Sequence, residues 1–219
     1  MGSSSVFDAE ASRYDAWYET RRGAAIFAAE LDALRPLLAE LPRPWLEVGV
    51  GTGRFAAALG VEVGVDPAPG ALELAADRGI RGVDALGDVL PFRDGTFGAV
   101  LLVVSMCFVS NPRAVLREAR RVLRPDGGVV LGLIYADGPW GRHYRRLAAE
   151  GHPYYRQARF YTRSELVDLL ETTGLSIART RSALLCPPDA YPLAGDAREG
   201  DRPEAGFSGL LAVDRAALA

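Results

Sequence analysis

Glu47 and Asp66 are the carboxylates of this chain whose neighbours say most about chemistry. Glu47 opens the run Glu47-Val48-Gly49-Val50-Gly51-Thr52-Gly53, an E-x-G-x-G-x-G pattern. Three alternate glycines permit positive φ and leave no side chain between backbone and a ligand. Amides at the start of the helix expected over Arg54–Leu59 favour acceptor or anionic groups. Asp66 ends the following apolar stretch, about 20 residues beyond Glu47, the spacing at which an acid reaches ribose hydroxyls in nucleotide-binding α/β folds. The order strand, glycine turn, helix, strand, acid implies a nucleoside-containing cofactor.

The glycines alone do not say which one. Gly51, Gly53 and Ala56 also satisfy G-x-G-x-x-A, so a nicotinamide-dependent oxidoreductase stays open on that pattern. Glu47 argues against it. A carboxylate there would repel a pyrophosphate, whereas it suits an ammonium group. Asp66, immediately before Pro67, also has the form of an ordinary helix cap.

The elements that must position these residues alternate. Trp45–Val48 reads as a first strand and the segment ending at Asp66 as a second. A helix is expected over Pro67–Arg78, stopped by Gly79, and a third strand over Ile80–Val83. Ala99–Val104 is apolar throughout, as in a parallel strand covered on both faces. Asn111 and Pro112 open a helix to Leu123. Arg124-Pro125-Asp126-Gly127-Gly128 is expected to break the chain before a fifth strand, Val129–Ile134. Such alternation implies a doubly wound α/β sheet, with ligands beyond the carboxyl ends of the strands.

The E-x-G-x-G-x-G turn resembles the first motif of class I S-adenosylmethionine-dependent methyltransferases. Leu90 to Ile134 resembles the later motifs of small-molecule members related to the ubiquinone/menaquinone C-methyltransferases, the methyltransferase type 11 domain. The resemblance covers roughly residues 7–181. It implies a Rossmann-like, mixed seven-stranded sheet closed by an antiparallel hairpin from Leu175–Leu185 and Phe207–Val213. It implies S-adenosyl-L-methionine as cofactor, with Glu47, Gly49, Val50, Gly51 and Gly53 around the methionine part. Asp66 would meet the ribose, and Pro67 with the backbone of Leu86 and Gly87 the adenine. Val104 and Ser105 would complete the cofactor site. The N-terminal FDAEASRYDAWYET is similar to a leading helix that closes over the cofactor, Tyr14 reaching its carboxylate region and Trp17 covering the pocket. Two positions depart from the family pattern. Leu86 stands where relatives often carry an acid, with Asp88 two positions on, and Gly98 stands where aspartate is usual.

Methyl transfer requires little acid–base chemistry of a protein. Rate comes from aligning a nucleophile with the methyl–sulfur axis and excluding water, and a base is needed only where the acceptor must lose a proton. The expected acceptor is a small or medium organic molecule. His143 and Tyr154 are the candidate catalytic residues, both in an aromatic, arginine-rich insertion. The histidines, His143 and His152, would also suit a surface, and Tyr144, Tyr154, Tyr155 and Tyr161 would line an acceptor pocket or form the apolar side of a lid helix. A catalytically silent cofactor-binding module is the further alternative.

A single domain over 1–219 is expected: an N-terminal helical lid segment at 6–41, a cofactor core at 45–134, a lid insertion at 137–161 and a mobile loop at 186–206. With 219 residues, 49% hydrophobic and a net charge of −3, the chain has the sequence for one sizeable core. All 25 basic residues are arginine, against 28 acids, which is not the footprint of a nucleic-acid binder. Gly98–Val109 is too short to span a bilayer. The leader has neither a secretory nor a myristoylation pattern, and two cysteines give no disulfide framework, so a cytoplasmic location is expected. No metal site is expected, because no acid or cysteine cluster is spaced with the histidines.

Overall fold

The computed structural model describes residue 13, residues 15–190 and residues 197–218. Residues 15–17 are helical. Thr20 then caps α1 (Arg21–Leu38) by accepting a hydrogen bond from the Gly23 amide. β1 (Trp45–Val48), α2 (Arg54–Leu59), β2 (Val63–Asp66), α3 (Pro69–Asp77), β3 (Arg81–Asp84) and β4 (Phe97–Val103) follow. Next come α4 (Pro112–Val122), β5 (Leu123–Leu133), α5 (Pro139–Ala149), a short 3-10 turn (Tyr155–Gln157) and α6 (Arg163–Glu171). β6 (Leu175–Ala183), β7 (Arg198–Glu199) and β8 (Phe207–Asp214) close the sheet.

The strands form one sheet in the order β3-β2-β1-β4-β5-β8-β6-β7. β1 pairs in parallel with β2 on one side and β4 on the other, so the chain order reverses beside β1. That reversal opens the crevice in which α/β sheets bind ligands. β8 runs antiparallel between β5 and β6, the hairpin closure expected from the sequence. β7 is an added two-residue edge strand within the segment expected to be an unstructured loop.

β4 is buried at every position. Ala99, Leu101 and Val103 pack into one core with Leu34 and Leu37 of α1, while Val100 and Leu102 pack into the other with Leu116 of α4 and Leu166 of α6. The alternation of side chains along a strand explains why it is apolar throughout.

The break expected at Arg124–Gly128 takes another form. β5 begins at Leu123, straight from α4, and the register jumps so that Phe97 faces Leu123 while Ala99 faces Gly128. The intervening residues bulge out of the ladder. Gly98, at the same irregularity, donates to the Pro44 carbonyl, and a Cβ there would lie 1.8 Å from the Pro42 carbonyl oxygen. Only glycine fits there.

Candidate active site

The glycine turn is held by backbone. The amides of Gly49 and Val50 both donate to the Val65 carbonyl, at 2.8 and 3.0 Å. Gly49, Gly51 and Gly53 all have positive φ, but their surroundings differ. A Cβ on Gly49 would lie 2.6 Å from the Ser105 Cβ, and one on Gly53 2.9 Å from the Ala75 Cβ. A Cβ on Gly51 would meet nothing within 4 Å, because it would stand in the cavity. Gly53 therefore serves the contact between α2 and α3, and Gly51 leaves room for a ligand.

This first cavity, of about 240 Å³, lies over the carboxyl ends of β1, β2 and β4. Glu47, Gly49, Val50, Gly51, Asp66, Pro67, Leu86, Gly87, Val104 and Ser105 all line it; Gly53 does not. Glu47 is buried, and its Oε2 has no hydrogen-bond partner. Burial, reinforced by the charge of Asp66, pushes its carboxyl well above the usual range, although the Ala56 amide donates to it. Asp66 is engaged through both oxygens: Oδ2 accepts from the Gly51 amide at 2.8 Å and Oδ1 from the Ala68 amide at 3.0 Å. Ser105 Oγ donates to the Val48 carbonyl at 2.9 Å, so its hydroxyl fastens β4 to β1. Leu86 is 58% exposed at the rim, and Asp88 places a buried, unpartnered Oδ1 in the same wall.

A second cavity, of about 260 Å³, adjoins the first. Tyr18, Val104 and Phe108 border both. Val104 has φ 45°, a costly conformation for a β-branched residue, where the chain leaves β4 between the cavities. The second cavity is walled by α1, the loop after β4 and the insertion after β5, through Trp17, Glu30, Cys107, Tyr144, His152 and Tyr155 among others. Burial pushes the Cys107 thiol up to about 12, so it is a neutral wall group at neutral pH.

Trp17 and Tyr154 border this second cavity rather than the first. His143 borders neither. It lies farther along α5, where Arg146 contacts its Nδ1 at 3.1 Å, and burial followed by the charges of Arg146 and Arg22 lowers its pKa. Tyr14 falls outside the described residues. Tyr18, Glu30, Phe108 and His152 are wall residues that sequence spacing did not single out for the site.

Unsatisfied buried polar atoms mark the same place. Five side-chain atoms among the described residues are buried without a partner, on Glu30, Glu47, Asp88, His152 and Arg181. All but Arg181 belong to residues lining one of the two cavities. Native proteins seldom leave such atoms unpaired, so these point to ligands. The lining of the first cavity fits S-adenosylmethionine: Glu47 and Asp88 each present a buried oxygen without a partner, and Gly51 leaves room for a ligand.

The comparisons with known proteins agree. Residues 46–131 match the family model described as a methyltransferase domain. A solved structure from Thermotoga maritima, a SAM-dependent methyltransferase described as a possible histamine N-methyltransferase, is 29% identical and superposes with a TM-score of 0.85 over 96% of this chain and 98% of its own. This chain belongs to the S-adenosylmethionine-dependent methyltransferases. An uncharacterized protein of Mycobacterium tuberculosis is 44% identical to this methyltransferase over 99% of the chain and 76% of its own length. The demethylmenaquinone methyltransferase of Tropheryma whipplei is 35% identical over 58% of the chain and 52% of its own length. The cofactor is S-adenosyl-L-methionine, and the oxidoreductase left open by the glycine pattern is set aside. No helix among the described residues is long and apolar enough to cross a membrane.

Proposed function

We propose that this methyltransferase acts on a small or medium organic acceptor seated in the second cavity. The observation that carries the reading is the shared border of Tyr18, Val104 and Phe108, which sets that cavity directly against the cofactor cavity. The cofactor supplies a methyl group on a sulfonium, a good leaving group. The protein's part is alignment and exclusion of water.

In this reading Glu47 receives the cofactor ammonium, the amides near Gly49 and Gly51 its carboxylate region, and Asp66 the ribose hydroxyls. Pro67, Leu86 and Gly87 border the adenine, and Asp88 accepts from its exocyclic amine. Residues 15–20 and 137–161 act as the lid, for Trp17, Tyr18 and the insertion wall the second cavity. His152 replaces His143 as the histidine beside the acceptor, with Tyr154 retained. The protein works in the cytoplasm.

Hydrogen exchange with and without S-adenosylhomocysteine tests the arrangement. Residues 15–20 and 137–161 should slow on binding, while β4 changes little. Equal protection in both states would leave these segments as fixed surface.

A further inference from the structure

The wall of the second cavity combines aromatic faces with one buried acid. Tyr144 lies 4.4 Å from Tyr155 and stacks with Phe160 at 6.2 Å between ring centroids; His152 stacks on Tyr155 at 4.5 Å. Glu30 enters this wall from α1, 4% exposed, on the stripe that also carries Ile26 and Leu34. Its Oε2 is buried without a partner. A neutral core would be served by leucine at such a position, and an unpaired carboxyl there is costly. Burial pushes this carboxyl up to about 8, and its charge in turn helps raise the Tyr155 hydroxyl, after burial itself.

What Glu30 Oε2 lacks is an N–H or ammonium partner. Aromatic faces attract the same groups. Arg159, a cationic side chain of this wall, is directed to other groups: it approaches Glu165 at 3.8 Å and lies over the Tyr161 ring.

We propose that the acceptor is a nitrogen compound, an amine or N–H heterocycle with an apolar body, and that Glu30 receives its N–H. This rests on the reading that the second cavity seats the acceptor. Glu30, protonated at rest, releases its proton to solvent as the nitrogen compound binds. The neutral nitrogen then donates its N–H to the carboxylate and keeps its lone pair for the methyl carbon. The N–C bond forms as the C–S bond breaks, with the electron pair of that bond remaining on sulfur as S-adenosylhomocysteine is released. The N–H proton passes to Glu30, giving a neutral methylated amine and a carboxylic acid, which returns its proton to solvent. Charge balances, since a sulfonium and a carboxylate become a thioether and an acid. A carboxyl whose affinity for protons is raised by burial is a suitable base for this step.

Calorimetric titration of the whole chain, saturated with S-adenosylhomocysteine, tests the proposal with 2-phenylethylamine and benzimidazole against 2-phenylethanol and phenylacetate. The nitrogen compounds should bind, and the alcohol and the acid should bind at least tenfold more weakly, about the worth of one charge-assisted hydrogen bond. Glu30→Gln should weaken the nitrogen compounds by roughly tenfold while S-adenosylhomocysteine binds as before. Glu30→Leu provides a second variant of the same volume class. Absence of binding by both nitrogen compounds, preference for the alcohol or acid, or undiminished binding in folded Glu30 variants would overturn the assignment. Failure of S-adenosylhomocysteine to bind would instead sink the cofactor arrangement, and the nitrogen compounds titrated alone would still report on Glu30.

Discussion

Asp66 and Gly51, both in the wall of the first cavity, are joined by a hydrogen bond of 2.8 Å from the Gly51 amide to Asp66 Oδ2. The acid at the end of β2 thus shapes the turn at the end of β1. The sequence left two roles for Asp66, ribose ligand or cap. The Ala68 amide on Oδ1 supplies the cap geometry, and position on the cavity wall leaves the ribose role open to the same side chain.

Asp66→Ala should therefore act twice. Loss of the turn contact should lower the melting temperature, and loss of the proposed ribose contacts should weaken S-adenosylhomocysteine. Each charge-assisted bond is worth on the order of 1.5–3 kcal/mol. Asp66→Asn keeps one acceptor oxygen and should fall between. Lowered stability with unchanged cofactor affinity in calorimetry would reduce Asp66 to a structural role.

The glycines of one motif should separate by experiment. Gly51→Ala puts a methyl into the cavity on a left-handed backbone, so cofactor affinity should drop by at least roughly tenfold, with a modest loss of stability of about 1 kcal/mol. Gly53→Ala drives a methyl against Ala75 and Ile80, so stability should suffer first. Paired melting curves and titrations would show whether the two variants differ in this order.

How much of this was legible in the sequence follows from the kind of signal each residue carries. The glycine turn and Asp66 are local, because backbone conformation and strand ends are set within a few residues. β5 was placed six residues late, since Arg124–Gly128 has the composition of a turn while the sheet absorbs it as a bulge. The wall of the second cavity is nonlocal: α1, the loop after β4 and the insertion after β5 meet only in the fold. Even so, Glu30 left a trace. It falls between Ile26 and Leu34, four residues from each, where an amphipathic helix presents its apolar stripe. An acid on that stripe was the available clue. His143 and His152 offered no comparable signal, because helical phase alone does not tell which histidine turns toward a cavity made by another segment.

Asp15 should clasp the N-terminal segment to the cofactor turn. Its carboxylate accepts from Thr52 Oγ1 at 2.8 Å, from Arg54 at 2.8 and 3.1 Å and from Arg78 at 2.7 Å. Burial alone would raise its pKa, but these donors outweigh that and hold it down at about 2. The folded value lies below the ordinary 3.8, so the clasp is intact above that pH and is lost as pH falls toward 2. Asp15→Asn should speed hydrogen exchange in residues 15–20 at neutral pH and weaken the cofactor. Exchange identical to that of the parent would mean that packing of Tyr18 against Phe27 and Phe55, not the carboxylate, holds the segment.

Glu30 should make the protein less stable at neutral pH than it would be without the acid. Its folded pKa is raised from 4.5 to about 8, so the folded state keeps a proton that the unfolded chain releases. Its contribution is fully present below pH 4.5 and is lost as pH rises toward 8. At about 1.36 kcal/mol per unit, the full span amounts to a few kcal/mol. Glu30→Gln removes the titration while retaining shape and polarity. The variant should melt higher than the parent at pH 8, with the difference narrowing steadily as pH falls to 5. A difference in melting temperature that stays constant across that range would show that Glu30 does not titrate there, and that its carboxyl has found a partner within the fold.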